Sequence, residues 1–184
     1  MNPQAPLLRN AGPSDFAQIL ALNHESVHFL SPLSLPRLEQ LHRQSACHRV
    51  LEADGKVCAF LLAFREGCAY DSANYRWFAG RYAKFLYIDR VVVALAQRGR
   101  GIGHRLYSDL FAFARQTDAG LVSCEFDIDP PNEPSRRFHE RYGFSEVGSQ
   151  AVASGKQVSL QAASLAQHHG VPCEPPWCTG PSLR

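Results

Sequence analysis

One segment constrains the fold of this chain more than any other: a predicted strand, a glycine-rich turn and a predicted helix between Phe85 and Thr117. Residues 85–93 form a β-branched and aromatic run, which is typical of a buried strand. After the turn, apolar residues recur at the spacing of one helix face. They are Ile102, Leu106, Leu110 and Phe113. The segment therefore predicts a strand that leads through a tight turn into a helix.

The turn itself has the features of an anion site. Backbone N–H groups in the first turn of a helix have no intrahelical partner, and the helix dipole places partial positive charge there. Arg98 and Arg100 add formal positive charge beside the glycines. A kinase P-loop would need a Lys-Ser/Thr pair, and a dinucleotide fingerprint would need glycine where His104 or Leu106 stands. We therefore predict a phosphate or pyrophosphate site of another kind.

The pattern Arg98-x-x-Gly101-x-Gly103 resembles the acyl-CoA motif of the GNAT superfamily of N-acetyltransferases. A second segment from Asn132 to Phe144 is similar to the motif that this family carries near its C-terminus. Together the two motifs extend the resemblance over roughly residues 6–162. The alternative for the first motif is a tight strand–helix turn that is basic without binding a ligand.

The resemblance implies a function and a cosubstrate. It implies that the chain binds acetyl-CoA, uses no metal, and transfers the acetyl group to a primary amine of a small molecule or of a peptide or protein. The alternative is a CoA-binding sensor or regulatory module with little or no turnover. Nucleic-acid binding is the least favoured hypothesis, because the net charge of the chain is only +2.

The resemblance also implies which residues bind the cofactor. Backbone amides of the central strand hold the acetyl carbonyl and the pantetheine in the family, and the glycine-rich turn holds the pyrophosphate. The positions of this chain that correspond are Val91, Val92, Val93, Arg98, Gly99, Arg100, Gly101, Ile102, Gly103, Asn132, Ser135 and His139.

Two residues are candidates for proton transfer. Asp89 is a single carboxylate in an apolar strand, and strand alternation places it on the same face as Val91. The alternative for Asp89 is a salt bridge to a neighbouring arginine, although Arg90 is expected to point to the other face. His139 stands where the family has a tyrosine that is often proposed to protonate the CoA thiolate, and histidine can donate a proton near neutral pH. Tyr142 is a substitute candidate for that acid.

The connection 65–84 is long and rich in aromatic residues and arginine, which is typical of a functional loop. We predict that it binds the acceptor, together with Asp127 of the following strand. Its candidate residues are Tyr75, Arg76, Trp77 and Arg81. The alternative is a helical turn whose Trp77 and Phe78 cover the sheet. Glu125 shares a strand face with Asp127, and this face either lines the acceptor side or is the solvated face of an edge; for Glu125 the solvated face is the favoured interpretation.

The predicted fold class is α/β of the α+β type. We expect a mixed, mostly antiparallel sheet of about seven strands flanked by four helices, in the order β-α-α-β-β-β-α-β-α-β-β. Residues 1–163 are predicted to form a single GNAT-like domain, which a chain of 184 residues can supply with a sizeable core. Residues 164–184 are predicted to be an irregular tail.

Composition gives the remaining expectations. No apolar run approaches the length of a membrane span, and the N-terminus lacks the pattern of a signal peptide. The six cysteines include no Cys-x-x-Cys, so we interpret them as reduced thiols of a cytoplasmic protein, with a Cys173–Cys178 pair as an alternative for two of them. The sequence leaves the oligomeric state open; a homodimer is one expectation, because dimers are the commonest oligomers in general.

Overall fold

The computed structural model describes residues 6–27, 30–152 and 155–166, and the fold below refers to these residues. Most of the predicted tail and the Cys173–Cys178 pair lie outside them. The described strands are β1 (Leu7–Asn10), β2 (Cys47–Ala53), β3 (Lys56–Arg65), β4 (Leu86–Val93), β5 (Leu121–Asp129), β6 (Ser145–Ala151) and β7 (Gln157–Ser164). They form one sheet in the order β1-β2-β3-β4-β5-β7-β6. Every neighbouring pair is antiparallel except β4 and β5, which are parallel. The predicted fold class is therefore confirmed.

The described α-helices are α1 (Phe16–Glu25), α2 (Leu35–Gln44), α3 (Ala73–Ala79), α4 (Ile102–Gln116) and α5 (Glu133–Glu140). The sequence predicted four of these helices, and α3 is the additional one, within the 65–84 connection. It begins where the Ser72 hydroxyl accepts a hydrogen bond of 3.3 Å from the Tyr75 N–H, which is an N-cap. Burial of Tyr75 and Phe78 then holds the short helix against the sheet.

The helices cover the two faces of the sheet. On one face, the predicted apolar stripe of α4 packs on alternate residues of β3 and β4, among them Leu61 and Ile88. On the other face, α1 and α2 pack on the intervening residues, among them Phe60 and Val92. This alternation gives each face its own apolar core.

A β-bulge interrupts the alternation in β4. Leu62 pairs with Arg90 while Ala63 pairs with Ile88, so Asp89 is the extra residue. The prediction that Asp89 shares a face with Val91 is therefore wrong. The Asp89 carboxylate instead accepts a hydrogen bond of 3.0 Å from Arg90 Nε, so the expectation that Arg90 points away from it is also wrong.

The parallel pair β4–β5 is short. Only Leu86–Val122 and Tyr87–Ser123 are paired, and the ladder then ends. The edge of β4 that would face β5 is therefore open from Ile88 onward, since strand pairing no longer uses its backbone N–H and C=O groups. This opening separates the sheet into two antiparallel parts.

Cys47, Cys58, Cys68 and Cys124 are free thiols. In the described ranges, no helix has both the length and the apolar character that crossing a membrane would require. Within the same residues, His, Cys, Asp and Glu side chains form no group of three that could hold a metal ion.

Candidate active site

A cavity of about 1780 Å3 occupies the opening between β4 and β5. It extends from the glycine-rich turn, past the open edge of β4, to the side chains of β5. Most of the predicted cofactor residues line it: Val91, Val92, Val93, Arg98, Gly99, Gly101, Ile102, Gly103, Asn132, Ser135 and His139. Arg100 is exposed outside this lining and donates a hydrogen bond of 3.4 Å to the Gln97 side chain.

The glycine-rich turn depends on glycine at two positions. Gly99 and Gly101 both have φ of +75°, in the left-handed region that side chains other than glycine rarely adopt. A Cβ at either position would meet nothing within 4 Å, so the space beside the backbone is open to a ligand. Gly101 is also the N-cap of α4, whose first turn lines the cavity. The turn thus presents unpaired helix N–H groups where Arg98 adds positive charge.

Beside the start of α4, where a Cβ at Gly103 would lie 3.3 Å from the Phe138 ring, α5 follows its N-cap Asn132, whose side-chain oxygen accepts a hydrogen bond of 3.2 Å from the Ser135 N–H. This N-cap fixes the start of the helix that carries His139. The His139 ring is only 4% exposed and lies against the rings of Phe126, Phe138 and Phe144.

Both ring nitrogens of His139 have partners. Nδ1 lies 2.7 Å from the Ser135 carbonyl oxygen, which can only accept, so Nδ1 carries the proton. Nε2 then accepts from the Tyr107 hydroxyl at 2.7 Å. Burial lowers the pKa of His139, so the ring is neutral at pH 7. In this state the single ring proton, on Nδ1, is donated to the Ser135 carbonyl.

Asp89 takes part in a buried ion pair, with both side chains less than 10% exposed. Its partner Arg90 also donates to the Asn23 side-chain oxygen at 2.7 Å, and to the carbonyl and hydroxyl of Ser31 at 2.8 and 2.7 Å. The Tyr70 hydroxyl donates to the other Asp89 oxygen. This network fixes the bulge of β4 to α1 and to the segment that precedes α2.

Two further carboxylates that line the cavity are paired with cations. Asp127 receives Lys156 Nζ at 2.6 Å, and Asp71 pairs with Arg37. Their charges are therefore largely compensated where they stand.

Glu125 differs from these carboxylates, because none of the ion pairs among the described residues includes it. It accepts hydrogen bonds from the neutral hydroxyl of Tyr87, at 2.7 and 2.9 Å, and from the side chain of Asn74. Burial raises the pKa of Glu125 to about 7, and these two hydrogen bonds offset only part of that rise. Nearby Asp89 and Asp127 raise it further. A carboxylate with a pKa near the working pH is suited to accept a proton in a reaction.

Glu125 lines the cavity, so the favoured interpretation that it belongs to a solvated edge face is wrong. The segment offered no local signal, because it alternates strictly, with Val122, Cys124 and Phe126 apolar and Ser123, Glu125 and Asp127 polar, as a strand with one solvated face would. Asn74 of α3 hydrogen-bonds this carboxylate, and the sequence offered that helix only as the alternative for the 65–84 connection.

The four candidates of the 65–84 connection lie outside the cavity lining. Tyr75 is 2% exposed, and its hydroxyl donates to the Arg65 carbonyl at 2.8 Å. Trp77 packs against Gly148, with the Arg81 guanidinium 3.9 Å from the centre of its ring. Arg76 is exposed on the same helix. Asp127, the remaining acceptor candidate, does line the cavity. Helix α3 contributes Asn74 to the lining, a residue that was not among the candidates.

Comparison with a family model gives a match to the acetyltransferase (GNAT) family over residues 15–144. A phosphinothricin N-acetyltransferase from Streptomyces coelicolor is 44% identical over 59 residues, which are 32% of this chain. That segment spans 33% of the relative's own length.

Solved structures show the same fold at low sequence identity. Ard1 from Thermoplasma volcanium superposes with a TM-score of 0.73 at 17% identity, covering 88% of this chain and 98% of that one. The Salmonella typhimurium protein yncA, solved with its cofactor acetyl-CoA, gives a TM-score of 0.67 at 20% identity and covers 92% and 99%.

Proposed function

The chain belongs to the acetyltransferase (GNAT) family, and from that premise we propose that it transfers an acetyl group from acetyl-CoA to a primary amine of a small molecule or of a peptide or protein. One observation carries the proposal. A single cavity joins the proposed anion-binding turn at Gly99–Gly103 to a half-buried carboxylate, Glu125, that has no cationic partner among the described residues. One end suits the phosphates of a CoA thioester, and the other suits a cationic amine.

The residues at the first end fit acetyl-CoA, which supplies an activated acetyl group when it is bound. The left-handed glycines leave open space for close approach, Arg98 contributes charge, and the first turn of α4 offers N–H donors. Beyond the turn, the open edge of β4 from Ile88 to Val93 presents unpaired backbone groups to the acyl arm. N–H donors fixed at such an edge stabilise the carbonyl oxygen as it gains negative charge during attack.

Glu125 is proposed as the general base. A primary amine with a pKa near 10 arrives protonated, and attack requires its nitrogen lone pair. The Glu125 carboxylate accepts one ammonium proton, the nitrogen forms a bond to the acetyl carbon, and the carbon–sulfur bond breaks. The departing sulfur carries the electron pair and takes up the second proton that the nitrogen loses on becoming an amide, so the step balances without an oxidant or reductant.

The predicted catalytic role of Asp89 remains a prediction, and its contacts favour a supporting role. Both of its oxygens are engaged, one by Arg90 and one by Tyr70. A carboxylate held this way stabilises the bulge. Its charge is already paired with Arg90, so it is less available to an amine substrate.

The proposed cofactor site predicts a specific binding loss. We expect the double variant Arg98→Ala, Gly101→Ala to raise the Kd for acetyl-CoA by about 10- to 100-fold, since a hydrogen bond to a charged group contributes about 1.5–3 kcal/mol. Isothermal titration calorimetry with acetyl-CoA measures this.

The matched control for this variant is Arg43→Ala, Gly55→Ala. Arg43 is an exposed cation on α2, and Gly55 has φ of +74° with nothing within 4 Å of a Cβ, as at Gly101. The control thus carries the same loss of charge and the same backbone strain at a distance from the cavity. Equal loss of affinity in both double variants would contradict the assignment of the turn.

Turnover is tested by release of free thiol from acetyl-CoA with four acceptors: an aromatic amine, a polyamine, an amino acid and a peptide with a free N-terminus. We expect thiol release that depends on at least one of them. Tight binding of acetyl-CoA without release by a broad panel of such amines would favour the regulatory module instead.

The role of His139 is tested separately. That it protonates the thiolate remains a prediction, but a neutral ring whose one proton, on Nδ1, is donated to the Ser135 carbonyl argues against it. We expect His139→Gln to keep kcat within about tenfold of the unaltered protein, because loss of a general acid costs about 10²–10⁴. A 100-fold loss of kcat with an unchanged Kd for acetyl-CoA would establish His139 as the acid.

A further inference from the structure

We infer that Asn74 is a positioning residue, whose side-chain amide orients the Glu125 carboxylate, and that β6 fixes this amide through Gln150. The inference rests on the proposed function, because it assigns Glu125 the role of base. Asn74 lies in the first turn of α3, lines the cavity and is buried. No pattern in the sequence singled it out.

The orientation of the amide follows from its two partners. Gln150 Nε2 donates to Asn74 Oδ1. The oxygen of the amide is then used, and the NH2 group is the part of the side chain that hydrogen-bonds Glu125. A carboxylate can only accept, so this is the one arrangement in which both contacts are favourable.

The position of Asn74 depends on how α3 meets β6. The Trp77 ring lies over Gly148, where a Cβ would come within 2.6 Å of Trp77 Cζ2. A residue with a side chain at position 148 would therefore displace the indole. A register irregularity between Glu146 and Gly148 occurs at the same place in the strand. Helix α3 is thus held to β6 at two points, through Trp77 on Gly148 and through Asn74 on Gln150.

The two donors to Glu125 come from different elements. Tyr87 donates from β4, and Asn74 donates from α3. The other titratable groups that act on Glu125 are Asp89 on β4, which is paired with Arg90, and Asp127 on β5, which is paired with Lys156. With Tyr87 alone the carboxylate could turn about its last side-chain bond. The second donor removes that freedom, which matters because proton transfer requires a defined geometry.

Asn74→Asp tests the inference with minimal change of shape. An aspartate can still accept from Gln150, but it places an oxygen where the donor stood. A carboxylate in the first turn of a helix is favourable, so α3 should remain folded. We expect kcat/KM for the amine to fall about 100-fold at pH 7 and the acid limb of its pH profile to move up by about one pH unit, since a like charge disfavours the ionised base. The KM for acetyl-CoA should stay unchanged.

Two further variants separate positioning from folding. Gln150→Ala leaves the Asn74 amide in place but free to rotate, and we expect a fall in kcat of about tenfold. Ser149→Ala alters the neighbouring exposed residue of β6 and should leave kcat and the pH profile unchanged. In parallel, 13C NMR of the Glu125 carboxyl group should show its titration midpoint moving up in Asn74→Asp.

The outcomes distinguish this inference from the function on which it rests. If the unaltered protein acetylates an amine but Asn74→Asp keeps its kcat/KM, acid limb and carboxyl titration, the positioning role is overturned and the acetyltransferase proposal stands. If no amine is acetylated by the unaltered protein, both are overturned.

Discussion

Replacing Glu125 with glutamine should lower kcat by about 10²- to 10⁴-fold, the range that general acid–base groups contribute. Glutamine has nearly the same shape and can still accept a hydrogen bond from Tyr87, so the cavity should keep its form. Its side chain cannot take a proton from the ammonium group. The Kd for acetyl-CoA should not change, because Glu125 lies on β5 and not in the glycine-rich turn that we propose for the phosphates.

The pH dependence gives this variant a second readout. Because the pKa of Glu125 is raised to about 7, the unaltered protein should gain kcat/KM as pH rises through 7 and then level off. The residual activity of Glu125→Gln should lack that limb. Glu39→Gln changes an exposed carboxylate on α2 and should behave as the unaltered protein does. A variant at position 125 with full activity and the same limb would exclude Glu125 as the base.

The same substitution should stabilise the fold at alkaline pH. A carboxyl group whose folded-state pKa is raised binds more protons in the folded than in the unfolded chain between its two pKa values, so it lowers the free energy of unfolding as pH rises through that window. Above pH 7 the folded protein holds a half-buried charge at position 125 that glutamine lacks. We expect Tm at pH 8 to rise by at least about 2 °C, the change that about 1 kcal/mol produces in a domain of this size. Unchanged Tm would mean that Glu125 is better solvated than its contacts indicate.

Arg90→Met should have the largest effect on stability, a loss of about 3–5 kcal/mol, because removing one partner of a buried ion pair leaves an uncompensated charge. Asp89 would lose its cation while it remains buried, and Asn23 and Ser31 would lose their donors. Urea denaturation followed by circular dichroism would measure this as a lower midpoint.

The comparison variant is Arg37→Met, which removes a cation from an exposed pair with Asp71. Such pairs contribute about 0–1 kcal/mol, so its midpoint should change little. If the two variants lost the same stability, the ion pair at the bulge would not be the anchor that we describe. Asp89→Asn in the Arg90→Met background should recover part of the loss, because the isolated charge is then gone.

The sequence was sufficient for the elements whose periodicity is local. The strand at residues 86–93, the helix at 102–116 and the anion-binding turn between them follow from apolar spacing and from glycine chemistry. The bulge at Asp89 could not be predicted, because it depends on how β3 and β4 pair. One inserted residue reverses the alternation on which the expected direction of the side chain was based.

The end of the cavity that we propose for the cofactor was predicted more fully than the end proposed for the acceptor, for a related reason. The phosphate binding proposed for Arg98 and Gly101 would use backbone geometry that a short contiguous pattern encodes. The acceptor end combines Glu125 with Asn74 and Tyr87 from three separate elements. Their proximity arises from tertiary packing, which a short sequence pattern does not encode. The aromatic residues of the 65–84 connection, which we had predicted to bind the acceptor, instead pack α3 against the sheet.

The short pairing of β4 with β5 leaves the two antiparallel parts of the sheet weakly connected. Two residue pairs join four strands on one side of the sheet to three on the other, so little main-chain bonding crosses the centre of the domain. A ligand that lies in the opening and bonds to the β4 edge would act as a substitute strand, in the manner of a peptide that adds to a sheet edge. Ligand binding would then contribute free energy to folding as well as to chemistry. In that arrangement acetyl-CoA would also be a component of the sheet. The product CoA has the same pantetheine arm, so it would connect the two parts of the sheet until a new acetyl-CoA replaces it.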